Sequence, residues 1–278
     1  MNPAVLVVGT GYLGQRFIRN QNNDAVIGLT RADYDLDCGG ELPVSLTTPY
    51  SVLYTVPPST ESIADVRLEH LLGALKPTPQ RFAYISTTGV YGNHDGASVD
   101  EETSVNPETD RARRRIAAEG TLHSWGASHD CEIVVLRVPG IYGPGRLGVE
   151  RLREGATVIE EDESGPGNRI HVDDLVRCCA AALSQAAPAG IYNVGDGNHR
   201  SSTWFSKEIA RQCDLPEPRS ISMADAENEF STMRMSFVRE SRQVDTQRMR
   251  NVLGVIPEYL NAQDGIAASL LERSSERD

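Results

Sequence analysis

Lysine is nearly absent from this chain: among 278 residues only Lys76 and Lys207 carry an ε-ammonium, and 27 basic side chains face 39 acidic ones for a formal net charge of −12. A nucleic-acid surface needs clustered positive charge, so this balance excludes nucleic acid as an expected partner. Long apolar runs are missing too. No stretch approaches the ~20 residues that cross a bilayer, and the apolar N-terminal run has neither a basic leader nor a cleavage site, so neither a membrane nor export is expected. Cysteine is sparse: Cys38, Cys131, Cys178, Cys179 and Cys213 form no disulfide framework and no metal-ligand spacing. They read as reduced, buried thiols of a cytoplasmic protein, and no metal site is expected.

Glycine, in contrast, stands where it carries information. Residues 4 to 14 read Ala-Val-Leu-Val-Val-Gly-Thr-Gly-Tyr-Leu-Gly, a β-branched run that empties into Gly9-x-Gly11-x-x-Gly14. A dinucleotide pyrophosphate site needs this pattern: the first glycine permits the tight turn, the second lets backbone approach the phosphates, and the third lets the next helix pack on the strand. Tyr12 and Leu13 complete the turn, and the phosphates would face the helix N-terminus. The segment Gly28-Leu29-Thr30-Arg31 bears on which dinucleotide fits, because no acid follows until Asp33. A carboxylate at this point suits the free ribose of NAD, whereas an arginine suits the 2′-phosphate of NADP. Thr30 and Arg31 therefore favour NADP, with NAD as the alternative.

Short apolar runs alternate with longer amphipathic segments. Strands are expected at Val5 to Val8, Ala25 to Leu29, Val52 to Val56, Phe82 to Ser86, Glu132 to Val138 and Ile191 to Val194, with helices at 12–20, 61–75, 110–128, 173–185, 202–213 and 261–273. That order predicts an α/β fold, a Rossmann-type doubly wound parallel sheet with a small, partly interleaved C-terminal substrate-binding lobe. Residues 1–145 would form the dinucleotide-binding core, completed by about 168–195, and 146–167 with 196–278 the smaller lobe. The spacing before Val52 is too short for two full crossover units, so one edge of the sheet should be thin. Residues 155–168, with Glu160-Glu161-Asp162-Glu163 and Gly165-Pro166-Gly167, read as a loop or hairpin outside the sheet.

Further landmarks come in a recognisable order: Tyr84-Ile85-Ser86-Thr87-Thr88-Gly89-Val90-Tyr91-Gly92, Leu136-Arg137-Val138-Pro139-Gly140-Ile141-Tyr142-Gly143, Arg169-Ile170-His171-Val172-Asp173-Asp174 and Ile191-Tyr192-Asn193-Val194-Gly195. With the glycine turn and Leu253-Gly254-Val255-Ile256-Pro257, these resemble the extended short-chain dehydrogenase/reductases, and within them the short, atypical members of the NAD(P)-dependent epimerases and dehydratases of nucleotide sugars. The resemblance implies a small-molecule substrate of nucleotide-sugar type and homodimers paired through 61–75 and 110–128. It also implies that Thr87 bonds the reacting oxygen, that Val56 and Pro57 border the cofactor, and that Pro139 and Ile141 flank the nicotinamide. His171, Asp173 and Asp174 match an element expected to be structural, with one of the two carboxylates capping a helix. Tyr91 and Tyr142 are expected to pack rather than react.

One departure decides the chemistry. The family's Tyr-x-x-x-Lys pair puts phenol and ammonium on one helix face, where the lysine lowers the phenol pKa for proton exchange. Here the matching helix reads Thr109-Asp110-Arg111-Ala112-Arg113-Arg114-Arg115, with Arg111 in the tyrosine position and Arg115 in the lysine position. No Tyr-x-x-x-Lys occurs anywhere in the chain. Arginine keeps its proton and cannot do a tyrosine's work. Arg115 can still hold the cofactor ribose and Arg111 an anionic group, whereas Arg113 and Arg114 read as a solvated face paired with neighbouring acids such as Asp110, Glu108 or Glu119. Two functions follow: an NADP-dependent oxidoreductase or epimerase with a non-standard active site, or a non-catalytic dinucleotide-binding sensor or partner-binding module.

Overall fold

The computed structural model describes residues 4–21 and 25–275. The first half of the chain gives β1 (Ala4–Val8), α1 (Tyr12–Asn20), β2 (Val26–Leu29), β3 (Tyr50–Tyr54), α2 (Val66–Ala74), β4 (Arg81–Thr87), β5 (Ser98–Val99), α3 (Asp110–His129) and β6 (Glu132–Val138). Next come β7 (Gly140–Tyr142), α4 (Val149–Arg153), β8 (Val158–Ile159), β9 (Arg169–His171), α5 (Val172–Leu183) and β10 (Gly190–Asn193). The chain closes with α6 (Ser202–Gln212), β11 (Ser220–Ile221), α7 (Met223–Glu229), α8 (Thr232–Arg239), β12 (Gln243–Val244), α9 (Gln247–Asn251) and α10 (Ala262–Ser275).

Six strands form one sheet in the order β10-β6-β4-β3-β1-β2, and every pairing in it is parallel. Because the side-chain period of a strand is two, each strand serves both faces. Val7, Leu53, Ala83 and Leu136 meet Leu13 and Phe17 of α1 and Leu175, Cys178 and Cys179 of α5. Leu6, Val52, Phe82 and Tyr84 meet Leu68 and Leu71 of α2 and Leu122 of α3 on the other side. Strand order reverses between β1 and β3, and in such sheets the crevice beyond the carboxyl ends at that point takes the ligand.

The thin edge is present: β2 is the outermost strand, and residues 30–49 contain no helix or strand. Several boundaries differ from expectation. β3 runs from Tyr50 to Tyr54 rather than Val52 to Val56, because its register pairs Ala4 with Tyr50 and Val8 with Tyr54, and Pro57 just beyond can donate no ladder bond. The helix expected over 61–75 starts only at Val66, where Asp65 accepts the Leu68 N–H as N-cap. Residues 155–168 lie outside the six-stranded sheet as expected and are a loop rather than a hairpin, broken only by β8, which pairs in parallel with β11. Cys131, Cys178 and Cys179 are buried free thiols, but Cys38 is exposed and Cys213 half-buried.

The later chain adds two small apolar clusters, one joining Val149, Leu152, Ile209, Ala210 and Ile266 and one joining Ile159, Ile221, Ala226, Phe230 and Met235. β12 pairs with β5 through Gln243 opposite Ser98 and Val244 opposite Val99. That two-residue strap returns the segment after α8 to the carboxyl edge of the sheet. Among the described residues no helix is long and apolar enough to cross a membrane.

Candidate active site

Each glycine of the first turn has its own reason. Gly9 has φ +92°, and a Cβ there would lie 2.6 Å from Val56 Cγ2. One at Gly14 would lie 2.1 Å from the Gly9 carbonyl oxygen. A Cβ at Gly11 would meet no protein atom within 4 Å, so what that glycine leaves free is open space in front of the helix. Gly11 is the N-cap of α1 and offers no side-chain acceptor, which leaves first-turn N–H groups without a side-chain cap. Thr55 fixes the turn from β3 by donating its hydroxyl to Gly9 O at 2.6 Å.

This turn forms one wall of a cavity of about 550 Å³. Gly9, Gly11, Tyr12, Leu13, Thr30, Arg31, Val56, Pro57, Arg115 and Ile141 all line it, while Gly14 packs behind the turn. Tyr12 donates its hydroxyl to Pro144 O at 3.0 Å, and Arg146 lies 4.2 Å over the Tyr12 ring. Arg115 donates to Ile85 O at 2.7 Å and to the Tyr84 hydroxyl at 3.0 Å. Burial pushes the Tyr84 phenol up to about 12 even beside that guanidinium. Arg31 is not free: its Nη2 sits 2.9 Å from Asp37 Oδ2.

A second cavity, of about 290 Å³, lies at the ends of β4 and β6 and is lined by Thr87, Gly89, Arg111, Pro139, Phe237 and Glu240 among others. Thr87 Oγ1 accepts the Gly89 N–H at 3.1 Å, so its own proton is free to be donated. Arg111 stacks 3.8 Å over the Phe237 ring, with Nη1 3.3 Å from Ser236 Oγ and Nη2 3.4 Å from Glu240 Oε1. Glu240 Oε2 accepts from Arg242 Nη1 at 3.2 Å and Nη2 at 3.1 Å. A Cβ on Gly89 would lie 3.4 Å from Thr87 Oγ1 and 3.6 Å from Glu240 Oε2, so the hydroxyl and the carboxylate face the same space. Among the described residues the lining holds no histidine, tyrosine, cysteine or lysine, and Glu240 is its one carboxylate.

Other candidates fall outside both cavities. His171, not an aspartate, caps α5: its Nδ1 accepts the Asp173 N–H at 3.2 Å, its Nε2 meets Ser269 Oγ at 3.1 Å, and burial lowers its pKa. Asp174 accepts the N–H groups of Glu258 and Tyr259 at 2.7 and 3.0 Å. Tyr91 donates to Asn193 Oδ1 at 2.8 Å, buried, and Tyr142 is buried as well, its phenol pushed up by desolvation. Arg114 is not merely solvated, since it donates to Ser62 O at 2.9 Å and Thr60 O at 3.1 Å. Glu119 pairs with Arg137 at 2.8 Å rather than with its helix neighbours, whereas Asp110 pairs with Arg113 at 2.7 Å. Sequence reading missed Glu240, Arg242, Phe237, Arg67 and Asp37, none of which stands at a telling spacing. Among the described residues no group of His, Cys, Asp and Glu is placed to hold a metal.

Residues 65–195 match the family model of the NAD dependent epimerase/dehydratase family. A dTDP-glucose 4,6-dehydratase of Actinoplanes sp. is 26% identical over 174 residues, which is 60% of this chain and 52% of that enzyme. The chain thus spans about half the length of that curated relative. Among solved structures, a functionally unknown conserved protein from Silicibacter pomeroyi is 28% identical with a TM-score of 0.81, covering 98% of this chain and 99% of its own. MoeE5 in complex with UDP-glucose and NAD follows at 19% identity and TM-score 0.76, covering 99% and 100%. RMD from Pseudomonas aeruginosa complexed with NADPH stands at 18% and 0.76, covering 98% and 99%. At those identities the last two bear on the fold alone.

Proposed function

From a chain that has the fold of the extended short-chain dehydrogenase/reductases and, over residues 65–195, the family match of the NAD dependent epimerases/dehydratases, we propose an NADP-dependent oxidoreductase or epimerase with a rebuilt proton-transfer site. The observation that carries this reading is a pair of cavities along the carboxyl ends of the sheet strands, the larger reaching Ile85 and the smaller Thr87 of β4. The larger has a glycine turn whose middle member leaves room for a pyrophosphate, and the smaller presents Thr87 and Glu240 to one space. A nicotinamide bound in the larger cavity supplies hydride exchange. Gly11 and the first turn of α1 hold the phosphates, and Arg115, anchored on Ile85 O, faces the cofactor from the lysine's position. Thr87 donates its free proton to the substrate oxygen. Glu240 takes the role left by the missing phenol and accepts the hydroxyl proton, while Arg111 and Arg242 hold its carboxylate in place. Neither guanidinium exchanges protons.

The substrate class follows from the relatives rather than from the cavity: a nucleotide sugar, such as the UDP-glucose bound by the structural neighbour, with Arg111 toward its anionic part. A cytoplasmic setting is supported by the free cysteines, and homodimers paired through α2 and α3 are part of the same reading. A second reading, a dinucleotide-binding sensor without turnover, is favoured by one observation: both arginines of the lost pair are already spent on protein partners.

The deciding experiment is a melting-temperature titration with NADPH and NADH, followed by a screen of UDP- and dTDP-sugars for change in nicotinamide absorbance. A ligand selective for the native state must raise stability. No shift with either dinucleotide overturns the reading. A shift with turnover that Glu240→Gln abolishes, while dinucleotide binding persists, supports the enzyme; a shift without turnover of any sugar tested favours the sensor.

A further inference from the structure

Among the described residues, the guanidiniums of Arg31, Arg67, Arg115 and Arg146 line the large cavity, together with the carboxylates of Asp35 and Asp37. Three of those cations are taken. Arg31 pairs with Asp37 at 2.9 Å and with Asp35 at 3.8 Å, and Arg67 pairs with Asp37 at 2.5 Å. Arg115 is held on Ile85 O and the Tyr84 hydroxyl. Arg146 differs: among the described residues its guanidinium has no ion pair and no hydrogen bond, and it rests on the Tyr12 ring, whose centroid lies 4.2 Å from Cζ.

The loop between β7 and α4 that carries Arg146 is fitted to the glycine turn. Tyr12, the residue after Gly11, donates its hydroxyl to Pro144 O at 3.0 Å, and a Cβ on Gly143 would lie 2.6 Å from that hydroxyl oxygen. On the other side of Arg146, Leu147 is buried with Val149, Leu152 and Ile209. Arg146 therefore stands on the later chain's apolar cluster while its head lies over the first residue of α1. Its side chain is exposed, so it can leave the ring without unpacking anything.

We propose that Arg146 is the cationic ligand of the dinucleotide pyrophosphate, supplied by the later part of the chain across the glycine turn. The proposal rests on the dinucleotide reading above and adds to it a residue from outside the glycine motif. A pyrophosphate brings negative charge to a chain whose own formal net charge is −12, and the N–H groups of a helix start offer only partial positive charge against it. Arg146 is the full charge on that wall which no carboxylate already offsets. Its planar fork of donors suits phosphate oxygens, and no hydrogen bond has to break before it serves. Because Leu147 anchors the loop in the later cluster, a pyrophosphate gripped by Arg146 ties that cluster to α1.

The test is calorimetric titration of the full chain with NADPH, NADH, ADP-ribose and 5′-AMP. Arg146→Gln should weaken NADPH, NADH and ADP-ribose by one common factor of about tenfold, and 5′-AMP, which has a single phosphate, by less. Arg146→Lys keeps the charge without the fork and should recover part of the loss. Raising the ionic strength to about 1 M, where screening acts within about 3 Å, should weaken NADH more in the unaltered protein than in Arg146→Gln. The ligand-free melting temperature of Arg146→Gln should stay where it is, because the side chain is exposed and unbonded. Equal affinity of the unaltered protein and Arg146→Gln for both dinucleotides would overturn the assignment and leave the dinucleotide reading standing. So would a loss confined to NADPH, which would put Arg146 on the 2′-phosphate instead. Binding of neither dinucleotide by the unaltered protein overturns that reading, and the assignment with it.

Discussion

At the scale of single residues, the three glycines separate folding from binding. Gly14→Ala forces a methyl to within 2.1 Å of the Gly9 oxygen, and backbone cannot give way as a flexible side chain would. Overpacking of that kind costs about 1–3 kcal/mol or more, so the melting temperature should fall clearly. Gly11→Ala adds a methyl where no protein atom lies within 4 Å, at a φ of −76° that alanine adopts freely. Its cost to the fold should be about 1 kcal/mol or less, yet dinucleotide binding should be lost, because the methyl occupies the phosphates' approach. Comparable loss of stability in both variants would contradict that division. Asp196 offers a pH test. Its Oδ1 accepts the Asn198 N–H at 2.8 Å, and burial raises its carboxyl to about 7, whereas an unfolded aspartate titrates near ~4. Between those values the folded protein keeps a proton that the unfolded chain has released, so stability falls as pH rises toward 7 and the loss levels off above it. Asn mimics the protonated form. Asp196→Asn should therefore gain on the unaltered protein by about 2–3 kcal/mol between pH 5 and pH 8, read from urea melts at the two values. A gap independent of pH would mean that Asp196 is ionised throughout beside Arg169.

At the scale of elements, α3 carries Arg111 and Arg115 where the family that the sequence resembles has its tyrosine and lysine. Arg115 and Arg111 remain on the face turned to the cavities, but deeper in, Glu119 accepts from Arg137 Nη2 at 2.8 Å and takes the hydroxyl of Ser86 as well. Both side chains are buried, and Arg137 also donates to the Tyr91 hydroxyl at 2.9 Å. Removing one partner of such a pair strands a charge, at a cost of about 3–5 kcal/mol, whereas replacing both by apolar groups is often near neutral. Arg137→Leu should lower unfolding free energy by that amount, and Glu119→Leu added to it should restore more than half, which a double-mutant cycle in urea measures. Elements of this size were the most legible part of the sequence. All six sheet strands were found, with β3 misplaced by two residues, because apolar runs of four to seven residues carry their own burial signal. The two- and three-residue strands β5, β7, β8, β9, β11 and β12 did not, since a pairing so short leaves no periodicity. The glycine turn, Thr87, Arg111 and Arg115 were marked out by the sequence for a related reason: each lies at a fixed offset inside one element, and the structure places Gly11, Thr87 and both arginines on the walls of the two cavities. Glu240, Arg67 and Asp37 were not, because what makes them notable is convergence of segments distant in sequence, by way of the β5–β12 strap and the turns that replace a crossover unit.

At the scale of the whole molecule, the helix that follows the glycine turn is tied to the far end of the chain. Arg16 on α1 donates to both oxygens of Asp173 at the start of α5, at 2.6 and 2.9 Å, and to Glu272 Oε2 of α10 at 2.8 Å. One guanidinium thus joins α1, the sheet-packing α5 and α10. Removing it takes away a cation that offsets the repulsion between Asp173 and Glu272. The three side chains keep 19%, 25% and 33% exposure, so solvent screens part of the repulsion and Arg16→Met should cost about 1–3 kcal/mol rather than a fully buried pair's larger value. The bond to Arg16 lowers the Glu272 pKa. That carboxylate therefore contributes stability which is fully present above the ordinary glutamate pKa and is lost as pH falls through its lower folded value. Arg16→Met should flatten this part of the acid-side decline, so that its deficit in melting temperature is full at neutral pH and shrinks in acid. On the proposed reading, in which the first turn of α1 holds the dinucleotide phosphates, dinucleotide affinity should fall as well, because the seating of α1 depends on the tie. A deficit that stays constant from neutral pH into acid would show that Arg16 acts through the packing of its methylene stem, and that the charge ties neither α5 nor α10 to α1.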